Sequence, residues 1–230
     1  MDISIIIPSY NQQEYLPDAI ESALNQTKEA HDIVIIDDGS TDNSLEIAKK
    51  YSNLRVYVIS QVNKGLASAR NTGIMFLSQM INCDYILPLD ADDILMDNAL
   101  ERIDEVARET NADVIAPSLK CFGVGNETVI LMPNPKLEDF RQGNRIGYCT
   151  AIKRDALLEV GGYSPRMVFG YEDLHLSINL LIRGKTIVTI PEVLWLYRTK
   201  PDSMWVRSKE HHQELLAQIN KDFPYAMLSF

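Results

Sequence analysis

Short apolar runs alternate with helical patterns through the first half of the chain, and this alternation constrains the fold more than any other feature. Runs rich in β-branched residues occupy positions 3–8, 32–37, 55–59, 85–90 and 113–116. Such continuous apolar runs are typical of strands that are covered on both faces. The intervening segments repeat apolar residues at intervals of three and four, which predicts helices. Strict alternation of the two predicts an α/β fold with a mostly parallel, doubly wound central sheet.

The second half of the chain is less regular. We predict strands at 119–123, 127–132, 147–152, 186–190 and 194–198, and helices near 171–183 and 206–220. These elements indicate a smaller antiparallel region beside the main sheet. The 230 residues contain no obvious linker, so a single domain is expected.

Composition excludes several classes of protein. The net charge of -10, with no Lys/Arg cluster along the chain, argues against a nucleic-acid partner. No apolar stretch approaches the roughly 18 to 20 residues that a membrane span requires, and the first apolar run is too short for a signal peptide. The three cysteines are odd in number and widely spaced, which favours a reducing compartment over disulfides or a metal knuckle. We therefore expect a cytoplasmic protein.

Polar residues follow the predicted strands at 9–11, 37–40 and 90–93. The carboxyl ends of parallel strands share one edge of a sheet, where ligands bind in such folds. The strongest of these clusters, Leu89–Asp93, holds three carboxylates within the four residues 90–93. Mg or Mn takes such oxygen ligands together with substrate phosphates, which predicts a diphosphate site. The alternative is that Asp93 or Asp97 caps the following helix.

Three further segments have both a binding and a structural interpretation. In 37–42, Asp38 is placed to accept the N–H of a nucleobase, while Thr41 or Asp42 is placed to cap a helix. Segment 63–71 opens a helix whose amino end favours anions, and Arg70 adds donors for phosphate. Glu172 and Asp173 lie in the first turn of a helix, where a carboxylate either complements the dipole or stays ionised as a general base.

The order and spacing of six blocks closely resemble the family 2 glycosyltransferases over about residues 3–200. The blocks are PSYNQQEYL (8–16), DDGSTDNS (37–44), NKGLASARN (63–71), LDADD (89–93), GGY (161–163) and YED (171–173). The resemblance implies a single glycosyltransferase A domain. It would comprise a nucleotide-sugar-binding half (about 1–116), an acceptor half (about 117–204), and a C-terminal helix and tail (205–230).

The resemblance also implies roles for individual residues. Pro8, Tyr10 and Asp38 would contact the nucleoside, with Arg70 near the diphosphate. Asp90 and Asp92 match the family's DxD motif, in which the first acid faces the ribose or sugar and the second binds Mn or Mg. Asp173 matches the catalytic base, and Glu172 contacts the acceptor or orients its loop. The implied reaction inverts the anomeric carbon of a nucleotide-diphosphate sugar, with UDP the expected nucleotide.

The chain departs from the family pattern in two places. Lys200 follows Tyr197-Arg198-Thr199, where many members carry a metal-binding histidine, so Lys200 is a candidate to neutralise the leaving group. The QxxRW signature of processive synthases is absent, and Trp205 lies in an unrelated context. Transfer of one sugar per encounter is therefore expected.

The expected acceptor is a saccharide or a lipid-linked glycan, which leaves peripheral association with the inner face of the membrane, and a homodimer, open. Two alternatives remain: a sugar-1-phosphate nucleotidyltransferase, and a nucleotide-sugar-binding domain whose catalysis has decayed. We interpret His211 and His212 as solvated residues of a polar helix, and Trp195 as a packing residue.

Overall fold

The computed structural model describes residues 1–201 and 208–230. Within them the strands are β1 (Ile3–Ser9), β2 (Ile33–Asp37), β3 (Val56–Ser60), β4 (Tyr85–Pro88), β5 (Ile94–Leu95), β6 (Val114–Gly123), β7 (Thr128–Val129), β8 (Ala151–Lys153) and β9 (Ile187–Thr199). The α-helices are α1 (Leu16–Leu24), α2 (Ser44–Lys50), α3 (Leu66–Met80), α4 (Ala99–Thr110), α5 (Arg154–Val160), α6 (Glu172–Ile182) and α7 (His212–Asp222). Two 3-10 helices cover Leu137–Gln142 and Lys209–His211.

The first half of the chain forms the parallel part of the sheet, as the alternation predicts. Strands β3, β2, β1 and β4 lie side by side in that order, and every pairing among them is parallel. The register places Ser9 beside Asp37 and Asp37 beside Ser60, so the strand-end residues meet at one edge. Helix α3 approaches the sheet closely because Gly73 has no side chain; a Cβ there would lie 2.7 Å from Cγ2 of Ile6.

The second half continues the same sheet in a mixed arrangement. Strand β8 runs antiparallel to β4 and to β6, whereas β6 and β9 are parallel to each other. The short strands β7 and β5 add antiparallel pairings to β6 and β9. The fold is thus the predicted α/β class, with a mostly parallel sheet and a smaller antiparallel region.

Several predicted strand boundaries in this half are wrong. The segments 113–116 and 119–123 are one strand, β6, and the division proposed after residue 116 falls inside it. A register shift at Pro117 and Ser118 interrupts the pattern, and the Ser118 hydroxyl keeps the backbone satisfied there by donating to Ile190 O and accepting from Leu131 N. Likewise, 186–190 and 194–198 form the single strand β9. Strands β7 and β8 are shorter than predicted.

The core fills both faces of the sheet with two clusters of buried apolar side chains. Trp195 is buried in one of them, and its indole N–H donates to Pro117 O at 3.2 Å, which confirms a packing role. Cys83 and Cys149 are buried, Cys121 is half-buried, and none of the three forms a disulfide. No helix within 1–201 or 208–230 has the length and apolar character to cross a bilayer.

Candidate active site

A cavity of about 1190 Å³ opens at the carboxyl ends of the parallel strands and extends to the amino end of α6. This is the edge that the strand order predicts for a ligand. The cavity brings together eight of the nine predicted site residues: Pro8, Tyr10, Asp38, Asp90, Asp92, Glu172, Asp173 and Lys200. Tyr10 is 47% exposed at its wall, which leaves the ring free to contact a planar base.

Asp38 shapes the loop that leads into α3. Its carboxylate accepts the Gln61 side-chain amide at 2.7 Å and the backbone N–H groups of Lys64 and Gly65 at 3.0 and 2.8 Å. Gly65 has a φ of +87°, a conformation that favours glycine. Asp38 therefore has a structural role in this structure, and its contact with a nucleobase stays a prediction.

Arg70, the ninth predicted residue, lies beneath the cavity and not in its lining. Its guanidinium is 1% exposed and bridges Asp90 at 2.6 Å and Glu172 at 2.7 Å. The rings of Tyr148 and Tyr163 lie 5.0 and 5.1 Å from its Cζ, within cation–π range. Arg70 thus ties the LDADD loop to the first turn of α6. Its position beside a diphosphate stays a prediction.

The three acids of the LDADD block have three different surroundings. Burial raises the pKa of Asp90 to about 6, opposed by Arg70 and reinforced by Asp92. Burial and the two neighbouring acids also raise the pKa of Asp93, which accepts the Tyr148 hydroxyl at 2.5 Å and the Arg198 N–H at 2.6 Å. Helix α4 begins after Asn98 without a side-chain cap, so the capping alternative for Asp93 or Asp97 is wrong.

Asp92 is the acid of this block that is paired with a lysine at the cavity wall. The Lys200 ammonium lies 2.6 Å from Asp92 Oδ2. The described residues contain no group of three or more metal-ligating side chains. An ion at this wall would therefore have Asp92 as its protein ligand and would take its other ligands from diphosphate oxygens and water, as Mg commonly does. The Mn or Mg requirement stays a prediction.

Asp173 and Glu172 begin α6, which follows Tyr171 in a left-handed conformation at φ +62°. Asp173 accepts its neighbour Leu174 N–H at 2.8 Å, and its other oxygen accepts the Asn144 side-chain amide at 2.8 Å. Burial, and next the Glu172 charge, raise the pKa of Asp173 to about 7. A carboxylate with such a pKa suits general-base catalysis near neutral pH.

Two asparagines contribute contacts that the sequence interpretation missed. Asn144 orients Asp173 from an irregular loop 29 residues earlier, and no periodic pattern marks it. Asn71 accepts Tyr163 N–H and donates to Tyr163 O, both at 2.8 Å, so α3 holds the GGY turn. Asn71 and Tyr163 lie in the motif blocks 63–71 and 161–163, and this is the sequence feature that could have indicated their contact.

The expectation of two solvated histidines is wrong. The His211 ring stacks on Phe169 with centroids 3.7 Å apart and lines the cavity. The Nδ1 of His212 lies 2.8 Å from the Tyr171 hydroxyl. The predicted helix near 206–220 is α7, from His212 to Asp222, preceded by a 3-10 turn. Trp205 and the start of that predicted helix lie outside the described residues.

The family model described as "Glycosyl transferase family 2" matches residues 4–169. The chain therefore belongs to glycosyltransferase family 2. A protein of Bacillus subtilis, the uncharacterized glycosyltransferase EpsJ, is 37% identical over 218 residues, which are 88% of this chain and 62% of that protein.

Two further relatives match a shorter part of the chain. The Streptococcus pneumoniae glycosyltransferase GlyG is 40% identical over 116 residues, 49% of this chain and 37% of that protein. The Staphylococcus aureus poly(ribitol-phosphate) beta-N-acetylglucosaminyltransferase TarP is 40% identical over 128 residues, 54% of this chain and 38% of that protein. The chain thus spans between 37% and 62% of the length of these relatives.

Solved structures of Staphylococcus aureus TarS share the fold. The complex with UDP-GlcNAc of its residues 1–349 superposes with a TM-score of 0.82 at 18% identity, over 100% of this chain and 68% of that one. The complex with UDP gives a TM-score of 0.80 at 19% identity, over 100% of this chain and 67% of that one. The glycosyltransferase A fold that the resemblance implies is confirmed.

Proposed function

We propose that this chain transfers a sugar from a nucleotide-diphosphate donor to an acceptor hydroxyl, with inversion at the anomeric carbon. The observation that carries the proposal is the single cavity that joins the strand-end acids to Asp173, whose pKa is raised to about 7. The proposed nucleotide site and the proposed general base, whose pKa is near neutral pH, thus lie in one cavity. A uridine nucleotide is the favoured donor, since the related fold of TarS was solved with UDP and with UDP-GlcNAc.

The reaction would be one in-line displacement. Asp173 takes the proton of the acceptor hydroxyl, the acceptor oxygen bonds to the anomeric carbon, and the bond from that carbon to the diphosphate oxygen breaks. Asn144 holds the Asp173 carboxylate toward the cavity, and Arg70 fixes the turn that carries it. No covalent intermediate is needed, so a second nucleophilic carboxylate is not required.

Asp90 and Asp92 would contact the donor from the LDADD loop, which Arg70 ties to the turn that carries Asp173. Asp92 would hold a divalent ion through one carboxylate, and such an ion supplies Lewis-acid stabilisation of the departing diphosphate. The nucleobase of the donor would pack against Tyr10 and Pro8, near Asp38. We propose one sugar per encounter and a saccharide or lipid-linked acceptor, as the family resemblance implies.

The test is UDP release from a panel of UDP-sugars in the presence of a broad acceptor set, for the wild type and for Asp173→Asn. Donor-dependent release, lost in the variant, would support the proposal. Nucleotide binding without turnover of any donor would instead favour a nucleotide-sugar-binding domain. Release of pyrophosphate from a nucleoside triphosphate and a sugar phosphate would contradict glycosyl transfer.

A further inference from the structure

The cavity is rich in negative charge and poor in positive charge. Five carboxylate residues line it within the predicted site, namely Asp38, Asp90, Asp92, Glu172 and Asp173. Among the described lining residues, Lys200 is the one lysine or arginine. Arg70, which is buried beneath the cavity, is paired with Asp90 and Glu172. A diphosphate that enters this cavity therefore meets repulsion unless a cation accompanies it or is already there.

Lys200 is held in place by the end of β9. The neighbouring Arg198 donates its backbone N–H to Asp93 at 2.6 Å and its Nε to Asp92 O at 2.8 Å, so two bonds fasten the strand to the LDADD loop. The Lys200 ammonium lies 2.6 Å from Asp92 Oδ2 and 4.9 Å from the centroid of the Tyr15 ring. The lysine thus occupies the carboxylate that a divalent ion would use.

A single carboxylate in this position has two competing partners. An ammonium on Asp92 neutralises it without any ion, and a divalent ion that takes the same oxygens must displace the ammonium. Lysine has a compact charge on a flexible four-carbon stem and binds phosphate as a point charge. Lys200 can therefore turn from Asp92 toward a bound diphosphate without a change in the fold.

We propose that Lys200 is a built-in cation for the donor's diphosphate, so that nucleotide binding depends only weakly on added metal. The inference rests on the proposed function, because it assumes a nucleotide diphosphate in this cavity. Lys200 would neutralise the donor as it binds, and would stay beside the leaving diphosphate when the bond to the sugar breaks. A divalent ion and Lys200 would then be alternative partners of Asp92, with partly overlapping effects.

The experiment is calorimetric titration of UDP into four proteins, each in excess EDTA and again in Mn. The proteins are the wild type, Lys200→Met, Lys200→Arg, and Lys185→Met as the matched control. Lys185 is also an ion-paired lysine, bound to Glu159 and 20% exposed against 23% for Lys200, and it lies outside the cavity. Thermal unfolding of each variant checks that it is folded.

The wild type and Lys185→Met should bind UDP with dissociation constants that differ by less than about threefold between EDTA and Mn. Lys200→Met should lose about tenfold or more in EDTA, the scale of a lost charged hydrogen bond, and recover most of it in Mn. Lys200→Arg should retain most of the EDTA affinity because it keeps the charge.

Two results would overturn the inference while leaving UDP binding intact: wild-type binding that disappears in EDTA, or a folded Lys200→Met that binds in EDTA as well as the wild type. Absence of UDP binding by every protein in both buffers would be a different failure. It would count against the uridine nucleotide of the proposed function and remove the basis for the role of Lys200.

Discussion

The surroundings of Asp173 act in opposite directions on the pKa of its carboxyl group. Burial and the adjacent Glu172 charge disfavour its ionised form, whereas Asn144 and the Leu174 N–H donate to that form. The balance raises its pKa to about 7 from the usual 3.8. The fold therefore destabilises the ionised form of Asp173 at the position where the proposed reaction needs a base. Ionisation of this carboxyl group makes folding less favourable.

The first prediction concerns Asp173→Asn. The unfolded chain loses the Asp173 proton near pH 4 and the folded chain only near pH 7, so this residue lowers stability as pH rises through that window. The variant should lose about 100-fold to 10,000-fold in turnover. Its free energy of unfolding should nevertheless fall less between pH 5 and pH 8 than that of the wild type. Urea denaturation at the two pH values measures this difference. A steeper loss in the variant would contradict the raised pKa.

The second prediction concerns Asn144→Ala. The Asn144 amide stabilises the ionised form of Asp173, so its removal should raise the pKa of that carboxyl further. The basic form is the active one, and the rise of kcat/KM with pH should therefore move upward by about half a unit to one unit. Asn126→Ala, an exposed asparagine outside the cavity, is the control. An unchanged midpoint with a uniformly lower rate would assign Asn144 a merely structural role.

At the scale of elements, the turn between α5 and α6 depends on one side chain of α3. Gly161 and Gly162 both have positive φ, at +80° and +72°. A Cβ on Gly161 would meet open space, whereas a Cβ on Gly162 would collide with Oδ1 of Asn71. That oxygen accepts Tyr163 N–H, and the Tyr163 ring lies against Arg70. The GGY block is therefore explained by contact between elements as well as by turn conformation.

The third prediction compares these two glycines. Gly161→Ala should cost about 1 kcal/mol of unfolding free energy, from the left-handed backbone alone. Gly162→Ala should cost about 1 to 3 kcal/mol more, because Asn71 must also move. It should lower kcat/KM as well, since Tyr163 and Arg70 support the first turn of α6. Urea denaturation and steady-state kinetics on both variants measure this, and equal costs would exclude a role for Asn71.

The elements and the edge that carries the site were predictable, and their long-range pairings were not. Apolar runs and three-to-four spacing located β1 to β4 and α1 to α4, and the parallel order then fixed where Asp38 and Asp92 would meet. The fusion of two predicted strands into β6 depends on Ser118, which satisfies the backbone across a register shift that local patterns do not encode. The burial of Arg70 was also not predictable from its place in the sequence, at the start of a helix.

At the scale of the whole molecule, the carboxyl ends of the sheet strands and the amino end of α6 together form the cavity. The ends of the parallel strands β1, β2 and β4 supply the side that we propose for the nucleotide, and the first turn of α6 supplies Asp173. Arg70 bridges these regions through its contacts with the half-buried Asp90 and the buried Glu172, and the end of β9 returns to the LDADD loop, where Arg198 and the following Lys200 contact it. Lys200 and Asp92 are far apart in sequence, so their pairing required the folded structure.

The last prediction uses hydrogen exchange to test whether the nucleotide binds at the strand ends and not at the first turn of α6. Saturation with UDP at about 100 times its dissociation constant adds roughly 2.7 kcal/mol to openings that are incompatible with binding, which slows their exchange about 100-fold. We expect protection in segments 9–12, 38–40, 63–66 and 90–93, and much less at 170–174, which we assign to the acceptor. Strand β7, which does not line the cavity, serves as the internal control. Protection that begins at 170–174, with none at the strand ends, would place the nucleotide on the wrong side and contradict the assignment of Asp173 as base.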